Sequence, residues 1–183
     1  MNTKHNIKYQ NTDETIKNAF ISLLQAKKIH TITINEICNK SHISRTTFYV
    51  HYEDIYALSH TIELEMGACL SSYIINHDTK EVILTKRSLY KMFEYVKYNK
   101  NIFSHIFFNS NSICEVLRSD LLVALINYNI HHKEVSYQLN FFFGGLHQIL
   151  QLWLKEDCCT PIDSIINTLY LMMPITKAID SLL

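Results

Sequence analysis

Only three glycines and two prolines punctuate the 183 residues of this chain. Average usage would place about 12% of a chain in these two residue types. Tight turns and phosphate-cradling loops draw on glycine's freedom at positive φ, and proline ends or kinks helices. A chain so poor in both has little material for a β-sandwich, a Rossmann unit or a P-loop. It is directed instead to an all-α fold of helices joined by short polar connections. Hydrophobic residues make up 48% and charged residues 19%, so a helical core has ample apolar surface to bury and disorder is disfavoured.

Apolar spacing places the helices. Ile16, Phe20, Leu23 and Leu24 recur at helical intervals, which predicts a first helix capped at Thr12 or Asp13 behind a polar, frayed 1–10. Thr33 followed by Glu36 is a capping-box pair and opens a short helix with Ile34, Ile37 and Cys38 inward, ending near Lys40 or Ser41. Ser44 caps a second short helix with Phe48 and Tyr52 inward. Two short helices so tightly joined form a helix-turn-helix. Beyond it, helices are expected over 54–76, 79–98, 101–109, 112–130, 133–156 and 161–182, with Pro161 in a first turn and Pro174 kinking the last helix.

Charge is balanced overall at 17 basic against 17 acidic residues, but unevenly spread. Residues 1–50 hold seven basic and three acidic side chains, a net +4, so the remainder carries −4. A basic end on an acidic body suits a polyanion partner at that end. The five cysteines are an odd, scattered set, the first residues have no apolar signal segment, and no apolar run reaches the ~18 residues of a membrane span. The expectation is a reduced, cytoplasmic protein. Metal-ligand spacing is limited to Cys38 and His42, one turn apart with Cys38 on the buried stripe, so no metal and no cofactor are expected. Cys158-Cys159 is a loop pair with no further redox signature. Motifs of zinc proteases, serine hydrolases and nucleotide-binding loops are missing, and an enzyme is not expected.

The segment from Thr31 to Leu58 carries the functional signal. The second short helix should bury Ile43 and Phe48 and expose Arg45, Thr46, Thr47 and Tyr49, a compact face with hydroxyls and one guanidinium. Such a face fits a major groove about 12 Å wide, where Arg reads guanine and Thr touches a thymine methyl or a phosphate. Tyr49 and His51 are placed to donate to phosphates, and Thr33 at a helix N-terminus suits another. Lys40 reads equally as a phosphate contact or a solvated cation, and any of these residues can be an exposed face without a partner. Protonation of His42 or His51 below pH ~6.5 would add positive charge near phosphates.

These residues resemble the TetR family of transcriptional regulators. The matching pattern is Ile34-x-x-Ile37, then Ile43-Ser44-x-x-Thr47-Phe48-Tyr49-x-His51-Tyr52, then Leu58, dense over residues 12–60. Phe142-Phe143-Gly144-Gly145-Leu146 with Trp153-Leu154 resembles the penultimate helix of one TetR subgroup. The resemblance implies an N-terminal three-helix DNA-binding domain with a helix-turn-helix over 1–53 and a C-terminal helical domain for ligand binding and dimerisation over 54–183. It implies a homodimer on a double-stranded DNA operator, acting as a repressor released by a small apolar ligand or another signal. The alternative is a coregulator whose body holds a protein partner.

The DNA contacts implied are Thr33, Lys40, Ser44, Arg45, Thr46, Thr47, Tyr49 and His51. The body's aromatics suit core packing, and a ligand pocket would draw on the same set, with Phe93, Phe107, Phe143 and His147 as candidates. Gly144, Gly145, Ile149, Trp153, Leu169, Met172 and Met173 are the dimer-interface candidates, the glycines permitting close helix approach. Three positions depart from the family pattern: His42 stands where Gly is usual, Ile55 where Lys is frequent, and Glu53 where a basic residue is common.

Overall fold

The computed structural model describes residues 7–76, 79, 85–107, 112–127 and 133–172. Its elements are α1 (Ile7–Leu24), α2 (Ile34–Ser41), α3 (Arg45–His51), α4 (Ile55–Ile74), α5 (Lys86–Tyr98), α6 (Lys100–Phe107), α7 (Ser112–Asn127), α8 (Lys133–Lys155) and α9 (Ile162–Met172). A short 3₁₀ turn at Ile29–Thr31, not foreseen from the spacing, leads into α2. No helix among the described residues is long and apolar enough to cross a membrane. Met173, Pro174 and the end of the expected last helix lie outside the described residues, as do residues 80–84 of the expected 79–98 helix.

The chain divides into two compact units, residues 1–63 and 64–183, with the division inside α4. The boundary expected at 53/54 would instead fall just before α4.

In the first unit, α1 packs on α2 and α2 on α3. Ile16, Phe20, Leu24, Ile32, Ile37, Cys38, Phe48, Tyr52, Leu58 and Ile62 are buried together in its core. The first helix starts at Ile7, earlier than the Thr12 or Asp13 cap predicted. Thr12 sits inside the helix and its hydroxyl donates back to the Lys8 carbonyl. Asp13 pairs with Lys17 one turn on, at 2.7 Å. The added first turn brings Tyr9 against His51, with ring centroids 4.0 Å apart.

Local chemistry accounts for the next boundaries. Thr33 and Glu36 form the capping box, and the N–H groups of His42 and Ile43 both close on the Cys38 carbonyl to end α2. Ser44 caps α3 and the Asp54 carboxylate caps α4 by accepting from Ala57 N–H at 2.7 Å. Pro161 precedes α9, its carbonyl accepting the first helical N–H groups.

The second unit packs α8 against α6 and α7, and α9 and α6 against α5. Its core includes Leu89, Met92, Phe93, Phe103, Leu117, Phe143, Leu150, Trp153 and Leu169. Phe93 meets the Trp153 ring edge-on at 5.3 Å, and the indole N–H donates to the Thr160 carbonyl at 2.8 Å, so the buried polar end of the tryptophan is satisfied.

Candidate nucleic-acid interface

The turn between α2 and α3 sets the direction of α3. His42 holds it in the left-handed region, with φ 54° and ψ 41°. That conformation is one glycine adopts freely and histidine tolerates at a cost. Ser44 then stops the chain in extended geometry, and its hydroxyl accepts from Thr47 N–H at 3.0 Å. Phe48 anchors the inner side of α3 with no exposure at all.

What remains outside is a compact face. Arg45, Thr46 and Tyr49 are exposed, and among the described residues none of them makes a side-chain hydrogen bond. Tyr49 is 50% exposed, with its ring edge against Phe48. Thr47 is half-buried and its hydroxyl pairs with that of Ser44 at 2.8 Å. Lys40 is exposed on the last turn of α2. Val50, which the sequence reading passed over, is 62% exposed on the same helix.

Two of the expected contact residues have partners within the unit. The His51 side chain is only 3% exposed. It stacks on Tyr9, and its Nδ1 lies 3.4 Å from the Asp13 carboxylate, which also accepts from the Tyr52 hydroxyl at 2.6 Å. His51 therefore packs the end of α3 against α1. At Thr33 the hydroxyl and the backbone N–H both face a Glu36 carboxylate oxygen at 3.0 Å. Lys27 and Thr33 hold that carboxylate well below its ordinary range, at about 2. The Glu36 carboxylate thus lies at the α2 N-terminus beside Thr33, which itself stays exposed.

Of the family departures, Glu53 stays exposed, while its neighbour Asp54 serves as the α4 cap.

No protein-family model matches the chain. An uncharacterized HTH-type transcriptional regulator of Bacillus subtilis (strain 168), YxbF, is 24% identical over 168 residues, covering 85% of this chain and 43% of that relative. The chain thus spans less than half the length of this curated relative. Among solved structures, the dihydroxyacetone kinase operon activator DhaS superposes with a TM-score of 0.61 at 17% identity, over 88% of this chain and 93% of that one. A TetR transcriptional regulator from Streptococcus agalactiae superposes with a TM-score of 0.66 at 20% identity, over 90% and 94%. The chain has the fold of the TetR-family regulators.

Within that TetR fold, the candidate residues of the body separate into two groups. Phe93, Phe143 and His147 are all buried in the second unit, and burial pulls the His147 pKa down. The side chain of Phe107 lies outside the described residues. Of the interface candidates, Gly144 and Gly145 are exposed, a Cβ added to either would meet nothing, and Ile149 is half-buried. Trp153 and Leu169, by contrast, are buried in the core of the second unit. The Met172 side chain and Met173 lie outside the described residues. Sequence reasoning passed over Tyr137 and Leu152 and counted Phe141 among the core aromatics, yet all three are large apolar side chains exposed on α8 at spacings that share a face with Gly144, Gly145 and Gln148.

Proposed function

We propose that the protein is a homodimeric DNA-binding regulator whose α3 enters the major groove of an operator. One observation carries this reading: α3 presents Arg45, Thr46 and Tyr49 outward on a helix fixed at its start by Ser44 and on its inner side by Phe48. Arg45 has the bidentate geometry for a guanine edge. Tyr49 supplies a hydroxyl for a phosphate, while Lys40, Ser44 and Thr47 flank the helix at positions suited to backbone contacts. Two copies of α3 would occupy successive major grooves about 34–36 Å apart on a near-palindromic site.

The pairing surface we assign to the outer face of α8. Tyr137, Phe141 and Leu152 form an unpaired apolar stripe there, and the bare glycines let a second helix approach closely. The release signal we assign to the body, where Phe93 and Phe143 supply the aromatic surroundings a small apolar ligand would take. A ligand can shift the dimer only by its differential affinity for the bound and released states. One fold neighbour is named an operon activator, so repression is tested separately, by a reporter whose output rises when the gene is deleted.

The deciding experiment is a salt titration of binding to duplex DNA from upstream of the protein's own gene. Specific binding should fall steeply with salt, and Arg45→Ala should weaken it by about 1–3 kcal/mol. Equal binding of both proteins to every duplex would overturn the assignment of α3.

A further inference from the structure

The exposed valine of α3 has no explanation within the unit. Val50 is 62% exposed, so core packing does not select it. Helix propensity does not select it either, since a β-branched side chain is disfavoured at an exposed helical position. It stands four residues after Thr46, which places both on one face of α3. Tyr49, half exposed, flanks them.

Rigidity is the property that these two side chains share. A β-branched residue in a helix is held to few χ1 rotamers, so its methyl groups are presented at set positions. Arg45, Thr46 and Tyr49 bring hydrogen-bonding groups to this face, whereas Val50 brings hydrocarbon alone. The major-groove edges of the four base pairs offer donors and acceptors and one apolar group, the 5-methyl of thymine. An apolar side chain that enters the groove has that methyl as its one complementary partner.

We propose that Val50, together with the Thr46 methyl, reads a pyrimidine 5-methyl group, so that each half-site carries a thymine at the step facing this end of α3. The inference rests on the assignment of α3 as the groove helix and specifies what that helix selects. Val50 is thereby a specificity-determining residue, distinct from the phosphate contacts that set overall affinity.

The test uses the full chain. Bound duplexes are enriched from a random pool, and each thymine of the enriched site is then replaced singly by deoxyuridine, which removes only the methyl group. Wild type and Val50→Ala are compared on every duplex. One thymine per half-site should lose about fourfold in wild-type affinity on demethylation, the value of one buried methyl, and clearly less with Val50→Ala, where only the Thr46 methyl remains. Placing 5-methylcytosine at that step should recover more affinity over cytosine for wild type than for Val50→Ala, separating the methyl from the thymine O4. Val50→Thr, which keeps one methyl, should retain part of the sensitivity. Alanine is a strong helix former at an exposed position, so the Val50→Ala protein should fold, checked by its melting curve. If every demethylation affects wild type and Val50→Ala alike, the inference is overturned while DNA binding stands. If no sequence is enriched, the groove-helix assignment itself falls and takes this inference with it.

Discussion

Helices α3 and α8 both leave apolar side chains in solvent, but they do so in opposite ways. α3 is seven residues long, capped by Ser44, and mixes Val50 with Arg45, Thr46 and Tyr49. α8 is 23 residues long and exposes Tyr137, Phe141 and Leu152 along several turns, with Phe141 77% exposed. A short mixed face supplies hydrogen-bonding direction and little area, the economy of base-edge reading. A long apolar stripe supplies area and little direction, the economy of subunit pairing. The difference teaches that exposure of hydrophobic side chains is not one signal; the length of the helix and the polar groups between the apolar ones decide what it fits.

That contrast can be broken first at its anchor. Phe48→Ala removes the buried side of α3 and should cost about 3–5 kcal/mol. The expected result is loss of the first unit's melting transition and of DNA binding, with the helical signal of the second unit retained. A single transition lost as a whole would show that the units do not fold separately.

Leu152→Glu sharpens the α8 side. A carboxylate on an exposed stripe should leave the protomer folded but weaken pairing by about 2 kcal/mol or more. Sedimentation at micromolar concentration should show a shift toward monomer, and operator affinity should fall with it. An unchanged dimer would move the pairing surface away from this stripe.

Asp13→Asn tests how firmly α3 is held to α1. Burial raises the Asp13 pKa, but the hydrogen bonds from Lys17 and Tyr52 outweigh it, so the net value lies below the ordinary 3.8. A lowered folded pKa contributes stability that is present above the unfolded value and lost as pH falls through the folded one. Chemical denaturation should find the variant less stable by about 1 kcal/mol near neutrality. The gap between the two proteins should close once acid has protonated Asp13 in the wild type.

The smallest effect is expected at the turn. His42→Gly relieves a left-handed φ of 54° but loosens the unfolded chain. A net stabilisation of up to about 1 kcal/mol follows, read as a small rise in melting temperature. A loss of stability would mean that the histidine side chain contributes more than its backbone strain costs.

Boundaries written in local chemistry were legible from the residues alone. Thr33 with Glu36, Ser44, and the spacing of Ile37 and Phe48 placed α2, the turn and α3 because caps and periodicity act within a few residues. The start of α1 was not legible, since the residues from Ile7 to Asn11 show no apolar repeat and gain their place partly through Tyr9 against His51, far along the chain. The same limit applies to the sites. Sequence identified α3 as the exposed helix with Arg45, Thr46 and Tyr49, but gave no sign that His51 would be buried against Tyr9 and Asp13. On α8 both faces are rich in apolar residues, so periodicity alone does not say which one is buried. Packing put Trp153 inside and left Phe141 and Leu152 outside. The sequence by itself determined the helices, their caps and the compact face of α3, because those follow from short-range hydrogen bonds and side-chain size. Only the tertiary structure decided which side chains that face retains and which apolar stripe stays unpaired, because burial is settled by residues distant in the chain.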